Sequence, residues 1–416
     1  MPRAERLPKT TVYSPPYPQP ELSSSPSQGR DTKARVAKGP AKLVASETLA
    51  KLGGKQLPTF NDWQGSIVDD KGRYLYVFGG CAPGEMFPTS HFFRLDLQGE
   101  SMSWVDLTCQ TRRVGHYRPS HEPIPARSGA GVAFYSYDEK PYLLIYGGID
   151  ATGIPRADLI SVDLTDLTWD LEASVSDALP RVEPALAIRG NYLCIFGGYC
   201  GTLPGKGMAE NSYSVLHFEP QALRWEWQLQ DATVPEHIGP IGSRLGAVPW
   251  ILGVLVVRGK FDGQEDIELS KKAFHNYNPV TDCWTRTPPR GELPPDAVWF
   301  DLRSRSSEAK VVHMCVWYES VKKDAHGNDY IVCDVWSYEP GPVIGTDKLT
   351  RLNVDGPIWR QKSVDLEMFH VLPDGRMLMF GAQHQLKERE PQRWDAFLDI
   401  TEAATPATST SSSSKL

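Results

Sequence analysis

The chain reads as all-β, a series of repeated four-stranded antiparallel units, and three observations say so. One phrase recurs at the ends of apolar runs: Val77-Phe78-Gly79-Gly80, Ile145-Tyr146-Gly147-Gly148 and Ile195-Phe196-Gly197-Gly198. A tryptophan follows at nearly constant distance. The composition, with 35 Gly and 34 Pro in 416 residues, suits many short strands joined by turns.

An apolar run cut off by two glycines marks a buried strand that ends where the backbone needs positive φ or close approach to a neighbour. The glycine anchors Gly79, Gly147 and Gly197 are 68 and 50 residues apart, and a weaker copy, Leu255-Val256-Val257-Arg258-Gly259, follows after another 62. A further copy, Met377-Leu378-Met379-Phe380-Gly381, lies 122 residues on, twice 61. One unit without glycines is therefore expected near residue 320, and Val311 to Tyr318 supplies its apolar strand.

Within the second unit the pattern predicts strands at Gly129 to Tyr135, Tyr142 to Tyr146, Asp158 to Leu164 and Thr168 to Leu171, with turn residues between them. Trp104, Trp169, Trp225 and Trp284 follow their anchors by 25, 22, 28 and 25 residues and mark the fourth strand. A glycine doublet and then a tryptophan, repeated about every 50 residues, resembles the kelch repeat, whose units are the blades of a β-propeller. The resemblance covers about Asn61 to Ile400 and implies six blades, or seven if an insertion hides one.

The sixth unit shows strands at Met368 to Leu372, Arg376 to Phe380 and Trp394 to Ile400, and then the chain turns to Thr, Ser and Ala. Its fourth strand is missing. An open edge would expose backbone donors and acceptors, so a strand from the N-terminal arm is expected to close the ring, either Thr10 to Tyr13 or Lys42 to Ala45. The domain reading is thus 1–57 a largely disordered arm, 58–400 the propeller, and 401–416 a disordered Ser/Thr tail. Residues 14–40 and 401–413 have little to bury. Arg30, Lys33, Arg35, Lys38 and Lys42 make the arm locally basic, and Glu5, Glu21 and Asp31 interrupt any presequence pattern.

The net charge of −7 argues against general nucleic-acid binding. No apolar stretch approaches the roughly 18 residues of a membrane span, and Met1 to Glu5 lack the apolar core of a secretory leader. Cys81, Cys109, Cys194, Cys200, Cys283, Cys315 and Cys333 are odd in number, contain no C-x-x-C pair and read as small buried hydrophobes of a reducing compartment. The terminal Ser414-Lys415-Leu416 matches the peroxisomal matrix address, which an import receptor reads at the end of an extended tail. The expected location is the peroxisomal matrix, with the cytoplasm as the alternative.

In an antiparallel four-strand meander the first strand starts on the face where the second ends, so all first-strand starts share one mouth. Aligning them in order gives Asp62, Arg127, Arg181, Arg244, Asp296 and Asp365, three arginines on one side and three aspartates on the other. Guanidinium forks at Arg127, Arg181 and Arg244 suit a carboxylate, phosphate or acidic peptide. Equally, Pro125-Ala126-Arg127-Ser128-Gly129 belongs to the repeat itself, and its arginine can pair within the fold. The insertion carrying Arg112, Arg113, His116, His121 and Glu122 and the loop carrying Lys260 open on the same expected face.

No metal is expected, because two histidines five apart without cysteine or a second acid are unspecific. Gly201 to Gly207 fails as a phosphate loop: three residues separate its first two glycines, a Gly follows the lysine, and the context is a strand. Some kelch-like propellers are copper radical oxidases, but no motif transfers their ligand positions here, and no cofactor is expected. The reading is a non-enzymatic scaffold for a protein or peptide; the alternative is a small-molecule enzyme or binding protein with its site at the mouth.

Overall fold

The computed structural model describes residues 43–48, 64–383 and 397–402, except 82–86, 99–103, 115–121, 173–177, 201–210, 243–244, 260–269, 295–296, 324–328, 356–363 and the single positions 307, 342, 344 and 353. Among the described residues the regular structure is β, with no α-helix and two three-residue 3-10 turns, Thr108–Gln110 and Lys271–Ala273.

After β1 (Leu43–Thr48) come five consecutive meanders. Blade one is β2 (Gly65–Val68), β3 (Tyr74–Phe78), β4 (Phe92–Asp96) and β5 (Trp104–Asp106). Next, β6 (Arg112–Arg113) precedes blade two: β7 (Gly131–Tyr137), β8 (Lys140–Tyr146), β9 (Leu159–Asp163) and β10 (Thr168–Glu172). Blade three is β11 (Ala185–Arg189), β12 (Tyr192–Phe196), β13 (Ser212–Glu219) and β14 (Arg224–Thr233). Blade four is β15 (Gly246–Trp250), β16 (Gly253–Val257), β17 (Phe274–Asn278) and β18 (Cys283–Arg286). Blade five is β19 (Ala297–Ser304), β20 (Val312–Lys323), β21 (Asp329–Glu339) and β22 (Lys348–Arg351).

The last sheet is a composite of both ends of the propeller. It contains β23 (Val354–Asp355), β24 (Val364–Val371), β25 (Met377–Gln383) and β26 (Phe397–Glu402), and β1 inserts between β26 and β23. Leu43 to Thr48 pair antiparallel with Glu402 to Phe397, and Leu43 and Val44 pair parallel with Val354 and Asp355. Six like repeats were expected. The structure instead contains five blades of consecutive strands plus this composite sheet, and no seventh sheet occurs among the described residues. The physical reason is that this sheet joins β24, β25 and β26 from the C-terminal part of the chain to β1 from the N-terminal part.

Of the two closing segments considered, Lys42 to Ala45 overlaps β1, while Thr10 to Tyr13 lies outside the described residues. Residues 14–40 and 403–413 of the expected disordered tails also lie outside them. Thr401 and Glu402 belong to β26 rather than to the tail.

The innermost strands β2, β7, β11, β15, β19 and β24 touch in that order, and β24 touches β2. The tryptophan register explains how neighbours adhere. Trp104, Trp169, Trp225 and Trp284 are all buried in fourth strands and face the preceding sheet. Trp225 packs on Tyr135 of blade two with ring centroids 5.0 Å apart, and Trp284 on Tyr213 of blade three at 5.2 Å. Trp104 meets Phe380 of the composite sheet at 6.2 Å. In blade five Leu349 takes this place, opposite Tyr338 as Trp284 is opposite Tyr277. Truncating such a buried ring costs about 3–5 kcal/mol, against about 1 kcal/mol for a typical hydrogen bond, so packing dominates each seam.

The glycine doublets shape the corner after the second strand of blades one, two and three. Gly147 and Gly148 have φ of 71° and 78°. A Cβ on Gly147 would fall on the Arg181 carbonyl oxygen of blade three, whereas Gly153, also at positive φ, has open space around it. Gly153→Ala should therefore cost about 1–2 kcal/mol from backbone conformation alone. Gly147→Ala should cost that plus about 1–3 kcal/mol for the forced shift of blade three. Chemical denaturation of the two variants measures the difference, and equal losses would contradict the close-approach argument.

Candidate functional site: the rim where second strands end

The blade geometry puts the first-strand starts and the loops between second and third strands on one face. Two of the arginines aligned there, Arg127 and Arg181, are among the described residues, and both point into their own blades. Arg127 is 4% exposed; its Nη2 donates to Asp158 Oδ2 at 2.8 Å and its Nη1 to the Ala126 carbonyl at 3.0 Å. Burial, opposed by Asp158, lowers its pKa below the ordinary arginine value. Arg156 extends the pair into a chain of alternating charge, 3.9 Å from Asp158 and 3.6 Å from Asp150.

Arg181 is fully enclosed. Its Nη1 donates to the Gly197 carbonyl at 2.7 Å, and its Nη2 to Ser212 Oγ at 2.9 Å and Asp231 Oδ1 at 2.8 Å. These partners lie on β12, β13 and β14 or at their ends, so one guanidinium ties the blade's three outer strands together. The backbone of the same residues reaches the preceding blade: Gly80 N–H donates to the Arg127 carbonyl and Gly148 N–H to the Arg181 carbonyl, both at 2.8 Å. The expectation that these two guanidinium groups line an open mouth is corrected. They stay inside because the carboxylates and carbonyls around them satisfy a fork geometry that exposed water would otherwise supply.

In blade four the equivalent position is Gly242, not Arg244. The register Gly246↔Val257 matches Ala185↔Phe196, and Gly198 N–H donates to the Gly242 carbonyl as Gly148 does to Arg181. Arg244, Asp62, Asp296, His116 and Lys260 lie outside the described residues. Asp365 falls in β24 opposite Ala382, on the inner strand of the composite sheet.

Arg112 and Arg113 are also corrected. They form β6, which pairs parallel with β10, so they edge the outside of blade two rather than the mouth. The Arg113 guanidinium lies over the Trp169 ring, 5.2 Å from its centroid, and 3.8 Å from Glu122 Oε2, while Trp169 Nε1 donates to the Glu122 carbonyl at 2.9 Å. The cation stacked on an aromatic face fixes this insertion against the blade.

Sequence reasoning missed what the rim does expose. Phe87 (73% exposed) and Ile154 (53%) occupy corresponding loops between second and third strands of adjacent blades one and two. It also missed a basic group in blade four. There Arg258 stands where blades one to three have their first glycine, beside buried His275 and exposed Arg286. Burial, with Arg258, Arg286 and His237, pulls the His275 pKa down to about 3. The replacement of Gly-Gly by Arg258-Gly259 was the available signal. Among the described residues no group of three or more His, Cys, Asp and Glu is arranged to hold a metal, and no helix is long and apolar enough to cross a membrane.

The ring of antiparallel blades, the glycine corners and the tryptophan seams agree with one family model, the KLHDC2/KLHL20/DRC7 Kelch-repeats domain, which matches residues 66–309. The chain belongs to the Kelch-repeat family. That span runs from blade one into blade five and is more than half of the chain. No curated protein sequence matches it.

For this Kelch propeller the buried arginine is a stability element. Arg181→Ala should cost about 3–5 kcal/mol, because Asp231 is left with an uncompensated charge. Arg181→Lys should recover only part of that loss, since one ammonium cannot reach the strands a planar fork spans. Denaturant unfolding checks both, and near-wild-type stability of Arg181→Ala would return this residue to the list of ligand-binding groups.

Proposed function

We propose that this Kelch propeller is a non-enzymatic scaffold that binds a protein or peptide through the rim loops of blades one and two. The observation that carries it is the pair Phe87 and Ile154, large apolar side chains held out to solvent on corresponding loops of neighbouring blades. Apolar anchors on a rigid frame are what protein interfaces use, and loops on such a frame are where function concentrates. Family membership and the internal pairing of Arg127 and Arg181 support this reading over a charged small-molecule pocket at the mouth.

The frame is read as a six-bladed ring, five consecutive meanders plus the composite sheet. The order in which the inner strands touch supports that count. Ser414-Lys415-Leu416, outside the described residues, is read as an address for the peroxisomal import receptor, which places the partner in the peroxisomal matrix.

A proximity-labelling enzyme fused to the N-terminus tests the whole reading. The wild type should label matrix proteins, and removing Ser414-Lys415-Leu416 should shift labelling to the cytoplasm. Phe87→Asp with Ile154→Asp should keep the compartment and lose the most enriched partners. An unchanged partner set in that double variant would remove the rim-loop scaffold, and an unchanged compartment after tail removal would remove import.

A further inference from the structure

The composite sheet joins strands from both ends of the propeller, and each of its faces meets a buried histidine. The register sorts them. On β24, His370 shares a face with Met368 and Leu372 and is directly opposite Leu378, and all three of those residues pack against blade one. On β20 of blade five, His313 is opposite Arg303 and Ser337, while the alternate residues Leu302, Met314 and Trp336 pack against blade four. Side chains opposite one another or two apart on a strand lie on one face of a sheet, so His313, Asp301, Arg303 and Cys315 share the face turned toward the composite sheet. Arg303 fixes the direction, since its Nε donates to the Phe369 carbonyl of β24 at 2.8 Å.

Neither histidine has room for a proton. His370 Nε2 lies 3.1 Å from Ser66 Oγ of blade one, a hydrogen bond across the seam between the last sheet and the first. His313 Nδ1 is buried without a hydrogen-bond partner, a costly state for a polar ring. The charges nearby are mostly cationic. Arg303 acts on His370 and Arg305 on His313, and the Arg305 guanidinium lies against Gly375 in the turn from β24 to β25. The acids beside them are engaged: Asp301 Oδ2 is 3.0 Å from Arg303 Nη2, and Asp374 Oδ2 accepts from Arg376 Nε at 2.7 Å. The strands packed on His370 from either side, β2 and β25, carry no charged residue.

The sign of the pH dependence follows. Burial and the neighbouring cations pull His313 down to about 4 and His370 well below the ordinary histidine value of 6.5. The stability that the neutral rings allow is therefore present above about pH 6.5 and is lost as pH falls toward the folded values, because the opened form binds the protons first. Asp301 works the other way. Burial raises its pKa, so the closed form takes up a proton there more readily than the opened form and opposes part of the loss.

We propose that the composite sheet is an acid-released latch: protonation of His313 and His370 opens the ring at this sheet while the seams of blades one to four stay packed. The seam between blades three and four also contains a buried histidine, His275, but Phe196, Tyr213, Tyr277 and Trp284 form an aromatic cluster there. The latch is independent of the Phe87 and Ile154 loops. It gives the propeller a closed state near neutral pH and an open ring in acid.

The cysteines report the opening. Cys315 is fully buried on the face of β20 that carries His313, Cys194 is fully buried in the seam of blades three and four, and Cys109 is exposed and serves as internal standard. The full chain is treated with a dipyridyl disulfide, which reacts with thiols in mild acid, across the range from about pH 7.5 to 4.5, and labelled sites are located by peptide mass spectrometry. Relative to Cys109, the Cys315 rate should rise about tenfold or more between about pH 7 and 5, while Cys194 stays protected. His313→Gln with His370→Gln removes both titrating rings and should flatten that rise, and His275→Gln should leave it unchanged.

Near-ultraviolet circular dichroism checks that each variant is folded. The single variants His313→Gln and His370→Gln, each expected to remove part of the rise, replace the double variant if it does not fold. A Cys315 rate that stays level in acid overturns the proposal. So does an equal rise at Cys194, which would mean that the whole propeller unfolds, and so does an undiminished rise in the folded glutamine variants.

Discussion

The register between neighbouring blades depends on a backbone hydrogen bond, while ring packing supplies the larger part of each seam's energy. The N–H of a second glycine, Gly80, Gly148 or Gly198, donates to the carbonyl of the residue that starts the next blade, Arg127, Arg181 or Gly242. The approach is so close that the first glycine of the doublet cannot carry a Cβ. Where the starting residue is arginine, its side chain then turns into its own blade and binds that blade's third or fourth strand. One residue thereby joins two blades, the backbone to the one before and the guanidinium to the one it opens. Buried tryptophans reinforce the same seams.

Much of this was legible in the sequence because the constraints are local. A doublet at positive φ admits glycine, and a large ring that fills a seam recurs as tryptophan, so Gly147-Gly148 and Trp169 announce their own positions. The strands of blade two were placed to within a few residues for the same reason. What was not legible depends on direction. Arg127 and Arg181 were aligned correctly, yet nothing in the phrase Ala126-Arg127-Ser128 says whether a guanidinium faces a channel or an aspartate 31 residues away in sequence. Arg112 and Arg113 were assigned to the mouth because the insertion is long, and the parallel pairing of β6 with β10 could not be foreseen. In blade four the alignment slipped by two residues to reach Arg244, since Gly242 offers no side chain to align.

The division of labour bears on function. Corners and seams make the frame rigid, and the loops between second and third strands, though anchored to it at Thr89 and Arg156, differ in sequence from blade to blade. Blades one and two present Phe87 and Ile154 there, and blade four converts the corner itself into Arg258, His275 and Arg286. A frame whose repeats agree and whose rim does not is suited to holding an irregular surface, which is what recognition of a protein requires.

Amide hydrogen exchange at Gly80, Gly148 and Gly198 tests the central claim most directly. If the glycine bonds join the blades, these three amides open only with the whole propeller and exchange as slowly as those of Val77, Ile145 and Ile195 in the strand interiors. Rapid exchange at the glycines beside protected strand interiors would contradict it, and would leave side-chain packing alone to hold neighbouring blades together.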